Sequence, residues 1–113
     1  MAKAKKEKKE KKIEPFWQEL VGVYFDFTKS KFHDIPSFDG SAPRDLKNIL
    51  QALRKRAEDK NVDWTHEVAT TRFRHFLEWA YMDRWLSENW LLMNINRQKD
   101  KIFFSITRQY LSR

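Results

Sequence analysis

The sequence contains no cysteine, only two glycines and three prolines, and no long apolar run. Without cysteine there can be no disulfide framework, thiolate metal site or thiol nucleophile, and a reducing compartment is favoured. So few glycines and prolines argue against a β fold, which needs many turns. The basic N-terminus lacks the apolar segment of a secretory signal, and no stretch is long enough to span a bilayer. These absences predict a cytoplasmic protein that has no membrane partner.

Patterns typical of catalytic and metal sites are missing as well. None of the three histidines, His33, His66 and His75, belongs to an HExxH motif or to a two-histidine metal spacing. His75 and Glu78 point away from the apolar face of their helix, which indicates an exposed polar pair. Two isolated glycines cannot build a loop that cradles phosphate. We therefore expect no enzyme, no metal, no cofactor and no small-molecule substrate.

The positive charge is distributed unevenly along the chain. Residues 1–12 carry +5 of the net +7, while the remaining residues hold nearly equal numbers of basic and acidic side chains. A Lys/Glu/Ala segment with no hydrophobic periodicity cannot bury enough apolar area to offset the entropy of ordering. Residues 1–13 are predicted to be a disordered basic tail, and residues 14–113 a single helical domain. The tail lysines proposed to attract phosphate are Lys5, Lys6, Lys8, Lys9, Lys11 and Lys12.

Helical periodicity dominates the rest of the sequence and predicts an all-α bundle of four main helices with one long loop. The first helix runs from Phe16 to about Lys31, with Pro15 beside its first turn, and its wide arc of large side chains makes it the expected central helix. Further helices are expected over about 42–60, from Thr65 to about Arg84, and from Asn94 to about Leu111. Residues 32–43 form the loop, and a connector over 85–93 has room for a short helical turn.

The same periodicity predicts the caps and the core. Ser41, Thr65 and Asn94 are the expected N-caps, since Ser, Thr and Asn side chains satisfy free backbone N–H groups. Phe32, Ile35 and Phe38 are expected to hold the loop against the core. The expected inward residues are Phe16, Trp17, Leu20, Val21, Val23, Tyr24, Phe25 and Phe27 in the first helix; Leu46, Ile49, Leu50, Leu53 and Ala57 in the second; Ala69, Phe73, Phe76, Leu77 and Ala80 in the third; and Ile95, Ile102, Phe103, Ile106 and Tyr110 in the last.

Two helix faces have the chemistry of a phosphate-binding surface. On the second helix, a basic stripe about 100° wide is formed by Arg44, Lys47, Arg54 and Lys55. On the last helix, a basic stripe opposite the core includes one aromatic residue and consists of Arg97, Lys101, Phe104 and Arg108. Each stripe has an ordinary alternative interpretation as a solvated helix face. Phe104 has the further alternative of packing on the 85–93 connector.

The second and third helices also match a helix-turn-helix arrangement. Thr65, His66, Thr70 and Arg72 would then lie near the start of a recognition helix. Any helical hairpin gives this pattern, and the turn contains no glycine.

The segment Trp64–Phe104 resembles the helical C-terminal segments of phage and mobile-element replication-organiser proteins. The resemblance covers about a third of the chain and rests on a Phe-Leu pair, an Asp-x-Trp-Leu motif and an Asn-aromatic pair, followed by asparagines before a basic helix. The matching residues are Phe76, Leu77, Asp83, Trp85, Leu86, Asn89, Trp90, Asn94 and Asn96. The winged-helix DNA-binding portion that precedes such segments has no counterpart in this sequence. The resemblance implies a replication-associated helical module.

Taken with the charge, these features favour a nucleic-acid-binding accessory module, with DNA favoured over RNA as its partner. The tail would supply non-specific phosphate attraction and the folded domain would add positioning. The alternative is a protein-interaction module, such as a phage-encoded inhibitor or replisome adaptor, whose many aromatic residues anchor an interface. The tail would then serve only solubility or localisation.

Overall fold

The computed structural model describes residues 14–34 and 37–111, with side chains up to Gln109. Within these ranges the chain forms six helices and no strand, which confirms the all-α prediction. The helices are α1 (Trp17–Phe32), α2 (Ala42–Asp59), α3 (His66–Met82), α4 (Arg84–Glu88), α5 (Leu92–Arg97) and α6 (Lys99–Leu111). The predicted tail, residues 1–13, lies outside the described residues, as do Ile35 and the side chain of Tyr110.

The helices bury one continuous core, and most of its members are those that the periodicity predicts. The predicted inward residues of α2 and α3 are all buried. In α1 the buried members are Leu20, Val23, Tyr24 and Phe27, while the other predicted side chains are half-buried against the same core. The narrow apolar stripes of α2 and α3 therefore correspond closely to the faces that these helices bury.

The centre of the bundle is α3, so the prediction that α1 is the central helix is wrong. α3 packs against α1, α2, α4 and α6, whereas the extensive helix contact of α1 is with α3. The aromatic arc of α1 is wide for a different reason. Trp17 and Phe25 extend beyond the helix interface to Phe38 in the loop, with ring centroids 6.3 and 5.7 Å from the Phe38 ring. The wide arc thus covers a loop rather than a second helix.

The helix starts agree only partly with the predicted caps. Thr65 caps α3 by accepting a hydrogen bond from the backbone N–H of Val68 at 3.2 Å, as predicted. Ser41 precedes α2, but its hydroxyl donates to Asp45 at 2.8 Å instead of capping the backbone. Pro15 lies in a turn outside α1, since Phe16 before the helix adopts a left-handed backbone conformation with φ of 61°.

The last predicted helix is two helices, and the prediction that Asn94 caps it is wrong. α5 begins at Leu92 and α6 at Lys99, and Gln98 forms a turn between them. α5 packs on α2 while α6 packs on α3, so the break at Gln98 separates two segments with different partner helices. Asn94 lies inside α5 and donates to the Asn89 carbonyl at 2.9 Å.

The residues that carry the replication-organiser resemblance mostly have structural roles. Asp83 separates α3 from α4 and caps α4 by accepting from the Leu86 N–H at 3.0 Å, so α3 ends before the predicted Arg84. Trp90 stacks on Phe27 at 5.7 Å and donates its indole N–H to the buried Thr28 hydroxyl at 2.9 Å. These contacts hold the connector against α1. The residues that carry the resemblance therefore serve mainly to pack the helices together.

Candidate nucleic-acid interface

The predicted stripe on α2 includes one arginine that is committed to an ion pair inside the domain. Arg54 donates to both carboxylate oxygens of Glu14, with Nε to Oε2 at 2.9 Å and Nη2 to Oε1 at 3.3 Å. The Glu14 side chain is only 1% exposed and that of Arg54 is 30% exposed. The hydrogen bond to Glu14 is the main reason that the pKa of Arg54 rises above its usual value. Arg54 therefore acts mainly as a structural cation.

Glu14 is a residue that the sequence pattern does not single out, because it adjoins the charged tail. The left-handed backbone at Phe16 turns the chain before α1, and the Phe16 ring packs edge-on against His66 at 5.7 Å. A bulky residue rarely adopts this conformation, so surrounding contacts must maintain it. The Glu14–Arg54 pair and the Phe16–His66 contact hold the residues before α1 against α2 and α3.

The other members of the α2 stripe remain at the surface. Arg44 and Lys55 are exposed and Lys47 is half-buried. Lys55 lies 3.9 Å from Asp59, one helical turn away, and both side chains are well exposed. Surface pairs of this kind contribute little to stability, so Lys55 keeps its charge available to a partner.

The α6 stripe presents an aromatic ring to solvent, as its sequence suggests. Phe104 is 63% exposed, so the alternative that it packs on the connector is wrong. The guanidinium carbon of Arg108 lies 5.9 Å from the centroid of the Phe104 ring, within the range of cation–π contact. Arg97 is exposed but belongs to α5, so the predicted single-helix geometry that joined it to this stripe is wrong.

Lys101 in the same stripe has an acidic neighbour from another helix junction. Its ammonium nitrogen lies 3.1 Å from Asp83, the residue that caps α4. The pKa of Asp83 is lowered, chiefly by the hydrogen bond from the Leu86 N–H, and Lys101 lowers it further. The Lys101 side chain is 63% exposed, so this pair leaves most of the cation in contact with solvent.

A cationic cleft opens between α2, α3 and α6, on the side of α2 away from Arg54. The volume of this cleft is about 580 Å³. Its basic side chains are Arg56, Lys60 and Arg72, with His75 and the hydroxyls of Thr71 and Thr107 beside them. Its apolar lining consists of Leu53, Phe76, Phe103 and Ile106.

Arg56 is held in place within the cationic cleft by two contacts. Its guanidinium carbon lies 4.4 Å from the centroid of the Phe103 ring, and its Nη2 donates to the Thr107 hydroxyl at 3.2 Å. Stacking on an aromatic ring and a side-chain hydrogen bond restrict a long side chain that would otherwise be mobile. The guanidinium is thus preorganised, with N–H groups left over for a ligand.

No carboxylate lines the cationic cleft among the described residues. Within the same part of the chain, no Asp or Glu oxygen lies within 4.0 Å of the charged nitrogens of Arg56, Lys60 or Arg72. Like charges in one cleft are unfavourable unless an anion joins them. The sequence pattern misses this group, because Arg56 lies in α2, Lys60 directly follows α2, and Arg72 lies in α3. Arg72 is the one member of the group that the helix-turn-helix pattern also includes, and in the structure it lines the cleft.

His75 in α3 lies between the cationic cleft and a second, smaller depression. His75 Nε2 accepts a hydrogen bond from the Trp79 indole N–H at 2.9 Å. His75 and Glu78 are both exposed, as predicted, although the partner of His75 is Trp79. Trp79 and Arg108, with Ser105 and Gln109, line a depression of about 230 Å³. The cleft, Trp79, Arg108 and Phe104 thereby form a connected surface.

No protein-family model, curated protein or solved structure matches the chain. The resemblance to replication-organiser proteins therefore stays a prediction. None of the helices in ranges 14–34 and 37–111 combines the length and hydropathy of a membrane-spanning helix. Fold and surface together define a small all-α domain with a cationic, aromatic-bearing side built on α3 and α6.

Proposed function

We propose that this chain is a nucleic-acid-binding accessory module that contacts phosphates and bases through α6. The observation that carries the proposal is the exposed Phe104 ring with the Arg108 guanidinium against it. Single-strand-binding proteins combine cations that follow the backbone with aromatic rings on which bases stack. The basic tail would add sequence-independent attraction, and a role in phage-type replication agrees with the resemblance described above.

The first test is a salt titration of binding to single- and double-stranded DNA and RNA, measured by fluorescence anisotropy. Binding to phosphates releases counterions, so the affinity should fall steeply with salt. Replacing the lysines of residues 1–12 by glutamine should lower the slope and weaken binding to every sequence alike. Replacing Arg97, Lys101 and Arg108 together should do the same through the folded domain. A variant with both sets replaced that binds like the wild type would rule out the proposal.

Phe104→Ala separates base stacking from charge. It should cost about 1–3 kcal/mol of binding free energy on single strands and little on duplex, whose bases are already stacked. Trp85→Ala is a matched control, because Trp85 is also an exposed aromatic residue but lies on α4. Equal losses for the two variants on single strands would contradict a specific stacking role for Phe104.

Protein interaction is a second candidate function, and one observation favours it. Several large apolar side chains around α4 and the start of α5 are exposed, namely Met82, Trp85, Leu91 and Met93. Exposed apolar and aromatic residues are common anchors of protein interfaces. If the full chain binds no nucleic acid at low salt, this candidate replaces the first.

A further inference from the structure

We infer that the cationic cleft between α2, α3 and α6 is a binding site for a nucleotide that carries a terminal phosphate. The ligand is a planar base with a phosphomonoester, supplied either as a free mononucleotide or as the 5′ end of a strand. The inference deepens the proposed function and depends on it only for the second of these sources. It concerns a separate site, since Phe104 and Arg108 do not line the cleft.

Charge is the first argument for this ligand. Arg56, Lys60 and Arg72 line one cleft without a carboxylate in its lining among the described residues. An internal phosphodiester carries one negative charge, whereas a terminal phosphomonoester carries between about 1.5 and 2 at neutral pH. A compact, multiply charged anion therefore matches three cations that line one cleft better than an internal phosphate or a single carboxylate does. Arginine adds geometry, because its planar fork suits phosphate oxygens.

The apolar part of the cleft is the second argument. Of the apolar lining, Leu53, Phe76 and Phe103 are buried in the core, and Ile106 is half-buried. Ile106 therefore forms the apolar wall that is open to a ligand, and a bare inorganic anion would leave it uncovered. The Arg56 guanidinium carbon lies 4.4 Å from the centroid of the Phe103 ring, so a base that enters the cleft would pack on the guanidinium. Bases stack on arginine planes as well as on aromatic rings. The volume of about 580 Å³ lies within the range of about 300–1,000 Å³ that small-molecule sites occupy.

Preorganisation is the third argument. Arg56 is already fixed by Phe103 and Thr107, so binding would order fewer side chains than a flexible surface requires. The Thr71 and Thr107 hydroxyls provide neutral hydrogen-bonding groups near the cations. The cleft therefore combines fixed charge, hydroxyl groups and an apolar wall, which is the combination that a nucleotide needs.

Isothermal titration calorimetry of the full-length chain tests the inference with three probes: 2′-deoxyadenosine 5′-monophosphate, 2′-deoxyadenosine and inorganic phosphate. The monophosphate should bind more tightly than either fragment, because only it uses both the cations and the apolar wall. Arg72→Gln and Arg56→Gln should each weaken it about ten- to a hundredfold, the usual effect of losing a charge-assisted hydrogen bond. Arg74→Gln is the matched control, since Arg74 is exposed on the same helix but does not line the cleft.

The source of the phosphate is distinguished with two oligonucleotides of one sequence, with and without a 5′-phosphate. The tail also attracts the added charge of the 5′-phosphate, so the difference between the two strands is compared in the wild type and in Arg72→Gln, which keeps the tail. A preference that disappears in Arg72→Gln identifies a strand end as the ligand, and no preference identifies a free nucleotide. If the Arg56 variant fails to fold, chemical shifts of the wild-type Thr71, Arg72 and Thr107 amides on adding the monophosphate give the answer.

The possible failures are separable. If the monophosphate does not bind, or Arg72→Gln and Arg74→Gln weaken it equally, the inferred site is wrong. Binding of unphosphorylated strands would then leave the proposed function intact. If the monophosphate binds through the cleft while no strand binds, the proposed function fails and the inferred nucleotide site stands.

Discussion

The two sides of α2 contain arginines that look alike in the sequence and differ in the structure. Arg54 makes a bidentate pair with the buried Glu14, while Arg56, two residues later, stacks on Phe103 and has no carboxylate within 4.0 Å in the described part of the chain. Two residues correspond to about 200° of helix rotation, so the two side chains point to opposite sides. One arginine stabilises the domain, and the other is available to bind.

The difference shows that a basic stripe is not in itself a binding surface. What matters is whether the fold brings a carboxylate to each cation. Lys101 is an intermediate case, because Asp83 approaches it at 3.1 Å but most of the lysine side chain remains exposed. Arg54 is the cation most fully paired, Lys101 is paired but exposed, and Arg56, Lys60 and Arg72 in the cationic cleft have no acidic partner among the described residues.

The largest expected effect on the free energy of unfolding comes from truncating a core side chain that packs next to α2. Phe76 is fully buried beside Phe103 and also lines the cationic cleft. Phe76→Ala should lower the free energy of unfolding by about 3–5 kcal/mol, and Leu53→Ala by about 2–5 kcal/mol, as buried large-to-small changes do. Urea unfolding monitored by tryptophan fluorescence measures both. A loss below about half a kcal/mol in both variants would contradict the described core, since surface changes have effects of that size.

The next largest effect tests directly whether the arginines on the two sides of α2 differ in their contribution to stability. Arg54→Gln leaves the Glu14 carboxylate buried without its cation, and it should cost about 2–4 kcal/mol of unfolding free energy, somewhat less than breaking a fully buried pair. Arg56→Gln loses a ring contact and one hydrogen bond and should cost only about 1 kcal/mol. The two variants remove the same charge two residues apart, so each is the control for the other. Equal destabilisation would show that the two sides of α2 are not distinct.

The smallest expected effect concerns Asp83, which caps α4 and pairs with Lys101. Asp83→Ala should cost about 1 kcal/mol at neutral pH, because the α4 cap is lost. The pKa of Asp83 is lowered in the folded protein, so its stabilising effect is present above its unfolded pKa and is lost as the pH falls through the folded value. The difference between wild type and Asp83→Ala should therefore shrink in acid. Asp83→Asn, which keeps a capping side chain without the charge, should stay close to the wild type at acid pH.

Much of the fold is predictable from the chain because helical periodicity is a local property. The stripes Leu46–Ala57 and Ala69–Ala80 identify their buried faces, and Thr65 identifies the start of α3. The candidate surface is predictable only in part. The exposure of Phe104 follows from its position opposite the core stripe of α6, whereas the cationic cleft joins side chains from three helices and has no signature along the chain.

The sequence by itself determined the helices, the inward face of each and the concentration of positive charge in residues 1–12, since each depends on neighbouring residues or on composition. Tertiary structure alone decided which helix is central, where the last helix breaks, and which cations are neutralised. These depend on approaches between distant residues, such as Glu14 to Arg54 and Arg56 to Thr107, whose partners lie 40 and 51 positions apart. A charge acts over a few ångströms in space, and its neighbours there are set by how the helices pack.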